Sequence, residues 1–466
     1  LIRHLLVLHD EVDRRTALAT TETLADISCL VDRKRRRALV VERAQTLIVG
    51  TRAAQLDEVA DNVYNIGSVE DALHSFLVYS CHITCKVTKF PRFFGTARHG
   101  STVFIAKYFR VDIYFLIFAS YMNIYKLFKM AGSGKIPNFA KLLGLWALHV
   151  SGRRYIGVFF DPVLACNLRC RMCYFSNPQK RRAMSGVADT ALLELVERVF
   201  FPRALKLQIG CGAEPTLYGG LDDIVVRARR AGVPYISLVT NGQLLVGGRV
   251  DIARLVALGL DELTLSMHGT RHETYQELMR GADFEKLKAL LRDIARVKAE
   301  HPGFRLRVNF TVNSMNVHDL EGDNFWAPWP DGLRPDILQL RPVQDIGSTD
   351  WCDYDPAALA AAYDSTFGNL IAYCHANGIT CIAPTAGQIN EVATPRDGVS
   401  ALIEDVTYCY ISPGAVYKDD FDADTDTFAS YHRRARTARR LLKAALFKKV
   451  DSRDKRASKK LNYKVE

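Results

Sequence analysis

The sequence predicts an α/β fold, a partial (β/α)6 barrel of the TIM type with a mostly helical N-terminal extension and a C-terminal extension. Three observations predict it. Apolar, β-branched or aromatic runs recur from Tyr155 onward, at 155–163, 204–210, 235–239, 262–267, 305–312 and 336–342. Helical stretches stand between them, at 188–200, 221–231, 248–258, 271–279 with 284–300, and a shorter link before 336. Three cysteines follow directly on the first run. Strands alternating with helices give βαβ units and a parallel sheet. In barrels of such units chemistry gathers at the C-terminal strand ends.

The stretches around that core divide the chain into a region 1–100, an aromatic helical segment 101–150, the barrel 151–345, an extension 346–430 and a basic tail 431–466. Region 1–100 offers short apolar runs and no repeat. Its Cys81-His-Ile-Thr-Cys85 lacks a third nearby cysteine and is read as non-metal. In 101–150 a Gly/Ser/Pro break separates two amphipathic patterns, the second from Phe139 to Val150. They are expected to pack across the barrel bottom, with a membrane interface as the alternative. Gly132-Ser-Gly-Lys135 is not a phosphate loop, because Lys129 and Ile136 stand where that loop needs Gly and Ser/Thr.

Net charge is +11, and residues 431–466 hold 14 Lys/Arg against 3 Asp/Glu, so the body 1–430 is neutral. The tail places Ala438, Leu441, Leu442, Ala445 and Leu446 at helical spacing among arginines. Such a helix can lie on anionic lipid or dock on an acidic partner. It carries no aromatic-interleaved platform, so no specific nucleic-acid partner is expected. Eleven cysteines in 466 residues is not the density of a disulfide scaffold. Free thiolates point to a reducing compartment, so a cytoplasmic location is expected, with peripheral membrane association as a variant. The longest uncharged apolar run, Ile113 to Tyr125, has 13 residues, short of the about 18 a spanning helix needs. The chain opens at Leu1 rather than Met, which leaves targeting signals at its start unread.

Cys166-Asn-Leu-Arg-Cys170-Arg-Met-Cys173 leaves the first strand as a loop. Thiolates at this spacing can point at one small volume, and soft thiolates suit iron–sulfur clusters and zinc. With no fourth cysteine nearby, one iron of a [4Fe–4S] cluster would stay open for a substrate or cofactor. A zinc site completed from a distance, or three unrelated buried thiols, are the other readings of the spacing.

This C-x3-C-x2-C spacing resembles the signature of the radical S-adenosylmethionine (SAM) superfamily, and the likeness runs over about 153–345. Gly210-Cys-Gly212-Ala213-Glu214-Pro215 looks like the Gly-Gly-Glu-Pro motif that holds the SAM amino group. The resemblance implies Gly212, Ala213, Glu214 and Pro215 as SAM contacts, with Ala213 replacing the second glycine. It implies Asn241 at the third strand end, Ser266 and Asn309 at the fourth and fifth for the SAM carboxylate or ribose, and Arg341 at the sixth for a carboxylate or substrate anion. His268, beside Ser266, is a candidate acid or base. Met172 stands where relatives carry an aromatic near the adenine.

Cys166, Cys170 and Cys173 would then ligate the cluster. The implied activity is reductive cleavage of SAM to a 5′-deoxyadenosyl radical that abstracts hydrogen from a peptide, lipid or small metabolite. An electron donor such as flavodoxin or ferredoxin is the implied partner. The alternative is a non-catalytic metal or cluster scaffold. Cys352, Cys374, Cys381 and Cys409 lack a C-x2-C pair and are read as scattered thiols rather than an auxiliary cluster. Asp420 to Asp426 is read as a solvated acidic loop, since Thr425 and Tyr431 stand where a calcium loop needs Gly and Glu.

Overall fold

Alternating polarity builds the sheet. In Arg305–Val312 the residues Leu306, Val308, Phe310 and Val312 are buried while their neighbours are half-buried. Successive strand side chains point to opposite faces, so one face packs on helices and the other lines the inside of the barrel. The computed structural model describes residues 136–344, 349–353, 356–389, 398–447 and 450. The readings made for 1–100 and for most of 101–150, and for the tail after 450, lie outside the described residues.

The strands are β1 (Ile156–Phe160), β2 (Ala204–Ile209), β3 (Ile236–Thr240), β4 (Glu262–Ser266), β5 (Arg305–Val312), β6 (Ile337–Pro342), β7 (Thr380–Ile382), β8 (Tyr408–Ser412) and the short β9 (Ala415–Val416). The sheet order is β7-β6-β5-β4-β3-β2-β1-β8-β9. All pairs are parallel except β8–β9. The six runs expected from sequence are therefore consecutive neighbours. Two further parallel strands from the C-terminal extension flank them. This is the order of a (β/α)8 barrel left open between β7 and β8. Neither added strand shows in the sequence pattern: β7 is only three residues long, and β8 mixes tyrosines with a cysteine.

The helices form as their apolar spacing requires. In Phe284–Glu300, Leu287, Leu290, Leu291, Ile294 and Val297 fall on one buried stripe. Asp283 caps that helix by accepting the Glu285 N–H at 2.8 Å. Glu285 in its first turn and Lys298 in its last match the helix dipole.

The barrel bottom is closed by three helices: α1 (Asn138–Val150), α2 (Phe428–Arg434) and α3 (Thr437–Phe447). α1 packs along α3, burying Leu142 and Leu441. His149 hydrogen-bonds Tyr155 at 2.9 Å, just before β1, and its ring meets that of His432 edge-on at 5.2 Å. The first part of the basic tail is thus part of the fold. Two of its arginines are tied down: Arg434 binds Asp426 through both nitrogens at 2.7 Å, and Arg440 reaches Asp405 at 2.7 Å. Asp426, read as a solvated acid, is that anchor. Among the described residues no helix is long and apolar enough to cross a membrane.

Candidate active site

The loop after β1 is held from both sides. The Arg169 and Arg171 N–H groups donate to the Arg280 and Leu278 carbonyls at 2.9 Å each, and the Cys173 N–H closes a turn on the Cys170 carbonyl at 2.9 Å. Cys166, Cys170 and Cys173 therefore sit on one constrained turn. Burial pushes the Cys166 thiol up to about 12 and Cys170 well above the ordinary range, and Cys173 is raised too. Cys170 also feels both of the other two thiols. Three half-buried thiols raised in this way, with Arg181 only partly offsetting the rise at Cys166, are a poor resting arrangement, one that a metal group relieves. Among the described residues no three His, Cys, Asp or Glu side chains converge as a single metal ion requires. The three cysteines supply the soft thiolate donors that an iron–sulfur cluster takes.

The Gly210–Pro215 loop leans on this turn. The Glu214 N–H donates to the Ala165 carbonyl at 2.8 Å. Gly210 has φ +85°, and a Cβ there would come within 2.5 Å of the Val239 carbonyl. A Cβ on Gly212 would meet the Tyr174 hydroxyl at 2.6 Å, and that hydroxyl donates to the Gly212 carbonyl. Ala213 is not among the positive-φ residues, which is why alanine is tolerated there. Asp161, at the end of β1, accepts the Cys211 and Gly212 N–H groups at 2.7 and 3.0 Å and the Tyr410 hydroxyl at 2.9 Å. Sequence reasoning missed Asp161, although an acid directly after an apolar strand was a visible signal.

Glu214 is buried at 2 % exposure. Its Oε1 accepts Thr216 N at 3.1 Å, Thr216 Oγ1 at 2.5 Å and Thr240 Oγ1 at 2.6 Å; its Oε2 accepts Asn241 N at 2.9 Å. Burial raises this carboxyl and the four donors oppose that rise. A carboxylate offers about four acceptor positions, and the crowding falls on Oε1, so Oε2 keeps room for another donor. Pro215, buried, starts the turn that presents Thr216. Asn241 extends the network: its Nδ2 donates to Asn167 Oδ1 at 2.9 Å and lies 4.0 Å from Cys166 Sγ.

Ser266 and Asn309 are register partners on β4 and β5, and Thr311 pairs with Arg341 on β6. Asn309 Oδ1 is buried without a hydrogen-bond partner. An orphaned acceptor costs about 1–3 kcal/mol, and a ligand hydroxyl would satisfy it. Arg341 is exposed at the rim. His268 Nδ1 accepts the Thr311 N–H at 3.0 Å, and burial lowers its pKa to about 4. The ring is therefore neutral near pH 7, with its proton on Nε2, and acts as a donor rather than as a proton acceptor. Asn316, also missed, ties the His268 and Thr311 carbonyls together at 2.9 Å each.

Met172 is buried with Leu278 and Trp351, and its sulfur accepts from Asn313 Nδ2 at 3.1 Å. Trp351 covers it from the far side of the barrel order. The Arg171 guanidinium lies 5.3 Å over the Trp351 ring, and the Asp350 N–H donates to Ser176 Oγ at 2.9 Å. The structure thus seats Met172 beneath a tryptophan cover that sequence reading did not foresee. Cys374 lies beside β7 and Cys409 on β8, at opposite ends of the parallel order, while Cys352 is exposed.

Residues 162–312 match the family model of the Radical SAM superfamily. The chain carries a radical SAM domain over those residues. Members use a [4Fe–4S] cluster and SAM. The chain is 29 % identical over 157 residues to a probable GTP 3',8-cyclase of Metallosphaera sedula, covering 33 % of this chain and 46 % of that one. It is 28 % identical over 180 residues to a probable GTP 3',8-cyclase of Sulfurisphaera tokodaii, covering 38 % and 54 %. The chain spans about half the length of the curated relatives it matches. Among solved structures it is similar to SuiB of Streptococcus suis bound to S-adenosylmethionine, with 17 % identity, a TM-score of 0.41, and coverage of 59 % of this chain and 62 % of that one.

Proposed function

We propose that the rim of the barrel holds a [4Fe–4S] cluster on Cys166, Cys170 and Cys173, and SAM beside it, in an enzyme that removes hydrogen from a small metabolite. The single observation that carries this reading is the constrained three-thiol turn, hydrogen-bonded through Ala165 to the Glu214 loop. When bound, these groups supply a 5′-deoxyadenosyl radical.

The chain's own residues bind and orient. Glu214 Oε2 takes a donor from the SAM ammonium, and Gly212, Ala213 and Pro215 shape the loop that presents it. Asn241 fixes the Cys166 side of the turn. Ser266 and Asn309 receive the polar edge of SAM, Asn309 through its orphaned oxygen. His268 offers Nε2–H to a bound group, and Arg341 at the rim meets a carboxylate or an incoming anion. Met172, under Trp351, is the apolar surface for the adenine and keeps water from the turn. An external one-electron donor of the flavodoxin or ferredoxin type completes the system. A small polar substrate is favoured over a lipid because the inner face carries Lys206, Gln208, Glu262 and Arg307 rather than an apolar lining.

The test is anaerobic reconstitution followed by iron and sulfide analysis and EPR of the dithionite-reduced chain, with and without SAM. The expected result is about four irons per chain and a signal that SAM changes, both lost in Cys170→Ala. Zinc in place of iron, or a signal indifferent to SAM, would leave a metal scaffold as the better reading.

A further inference from the structure

The inner face of the barrel holds charge that the rim chemistry does not use. Lys206 on β2 and Arg307 on β5 project from the lumen-facing positions of their strands, below the rim. Between them stand Tyr235, just before β3, and Glu262 at the start of β4. Glu262 is 1 % exposed and already engaged, accepting the Tyr235 hydroxyl at 2.6 Å and Thr264 Oγ1 at 3.2 Å. Arg307 Nε lies 3.3 Å from Glu262 Oε1, yet it is buried without a hydrogen bond. Lys206 Nζ has a neutral partner, Gln208 Oε1 at 3.3 Å, and stands 5.9 Å over the Tyr235 ring.

Lys206 and Arg307 thus share one carboxylate, Glu262, whose register partner Arg305 adds a further cation to this face of β5. The other acid of the inner face, Asp161, is taken up by two backbone amides and Tyr410. The two cations sense each other: burial lowers the Lys206 amine, and Arg307 lowers it further against the pull of Glu262. A self-contained ion network would pair its charges, since unpaired buried charge is costly. An excess cation facing a low-dielectric lumen is the arrangement that concentrates an anion. The two heads divide the work, because guanidinium presents a planar fork and ammonium a compact point charge.

We propose that Lys206 and Arg307 form the oxyanion-binding floor of the substrate site, taking a phosphoryl or carboxylate group of a small metabolite whose reacting carbon lies above it, toward the rim. Calling the ligand a substrate rests on the function proposed above; the binding of an oxyanion does not.

The experiment is calorimetric titration of the full-length chain, as isolated and after reconstitution, with pyrophosphate in one arm and citrate in the other, at fixed salt. One saturable site per chain is expected, for pyrophosphate if the group is phosphoryl, for citrate if it is carboxylate, for both if the floor reads charge alone. Lys206→Gln should weaken that site about tenfold or more, the worth of one charge-assisted contact. Lys206→Arg keeps the charge and should restore most of the affinity, while Arg182→Gln on an exposed helix should change nothing. Absence of a saturable site in both arms overturns the proposal. So does a Lys206→Gln chain that binds as the parent does, or an Arg182→Gln chain that weakens equally. These readouts need no iron, so failure here is distinct from failure of the cluster experiment.

Discussion

The backbone N–H of Asn241 donates to Glu214 Oε2 at 2.9 Å and, with the Thr240 hydroxyl on Oε1, joins the loop after β2 to the end of β3. Because the Glu214 N–H in turn reaches Ala165, the cysteine turn, the glycine loop and the third strand form one hydrogen-bonded unit. The thiols are held before any ligand arrives.

Replacing that carboxylate by an amide tests the unit. Glu214→Gln keeps the shape but sets an NH2 donor against some of the four groups that now donate to the carboxylate. Buried donors left unpaired, and charge-assisted bonds lost, cost about 2–4 kcal/mol. Urea unfolding should show that loss, and SAM should no longer alter the EPR signal of any cluster that still assembles. Full parental stability would show that the network is not what holds the loop.

Asn241→Ala removes the 2.9 Å bond to Asn167 and the acceptor that Gln243 N–H uses at 3.0 Å. The global cost should be about 1–2 kcal/mol. The more specific sign is local: in the cluster-free chain Cys166 should be alkylated several times faster by iodoacetamide, with Cys409 unchanged as the internal reference. Mass spectrometry of the two peptides decides it.

Trp351→Ala opens the cover over Met172 and removes the ring beneath Arg171. Truncating a buried tryptophan costs about 3–5 kcal/mol, and this one, at 5 % exposure in a small satellite cluster, should fall at the lower end. The reconstituted chain should lose iron faster in air. Trp351→Phe should recover most of both properties; if it recovers neither, the apolar cover is not the cause.

The histidines under the barrel make stability fall with acid. Burial depresses His432 to about 3 and lowers His149, each also disfavoured by neighbouring cations or by the other ring. Below the unfolded value of about 6.5 the unfolded chain binds protons that the folded chain refuses, so stability drops as pH falls from about 6.5 toward 3. The slope is at most about 1.4 kcal/mol per pH unit for each group. Urea midpoints from pH 7.5 to 5 should decline, and less steeply in His432→Gln. Equal slopes in the two chains would assign the pH dependence elsewhere.

Much of the site was legible because its signals are local. The three cysteines lie within eight residues, Glu214 and Pro215 closely follow Gly210 and Gly212, and Ser266 and Arg341 stand at or beside the ends of strands whose apolar runs are plain in the sequence; Asn309, expected at a strand end, lies within β5, three residues before its last. Met172 was legible as a soft residue beside the cluster turn; its tryptophan cover was not, since Trp351 comes from beyond β6. His268 was legible as a polar strand-end residue, while its neutrality follows from burial and from the Thr311 amide.

The sequence by itself determined the places of six strands and the helices between them, the thiol turn, and the polar residues near the C-terminal parts of the strands. It could do so because apolar periodicity and ligand spacing are properties of neighbouring residues. Only the tertiary structure decided that β7 and β8 extend the sheet at its two ends, and that the basic tail begins by packing under the barrel. It alone decided that Asp161 joins Cys211 and Gly212, 50 and 51 residues away, to Tyr410, 249 residues away. A buried polar group takes whichever partners folding brings within hydrogen-bonding reach, and no pattern of neighbours in the chain records that distance.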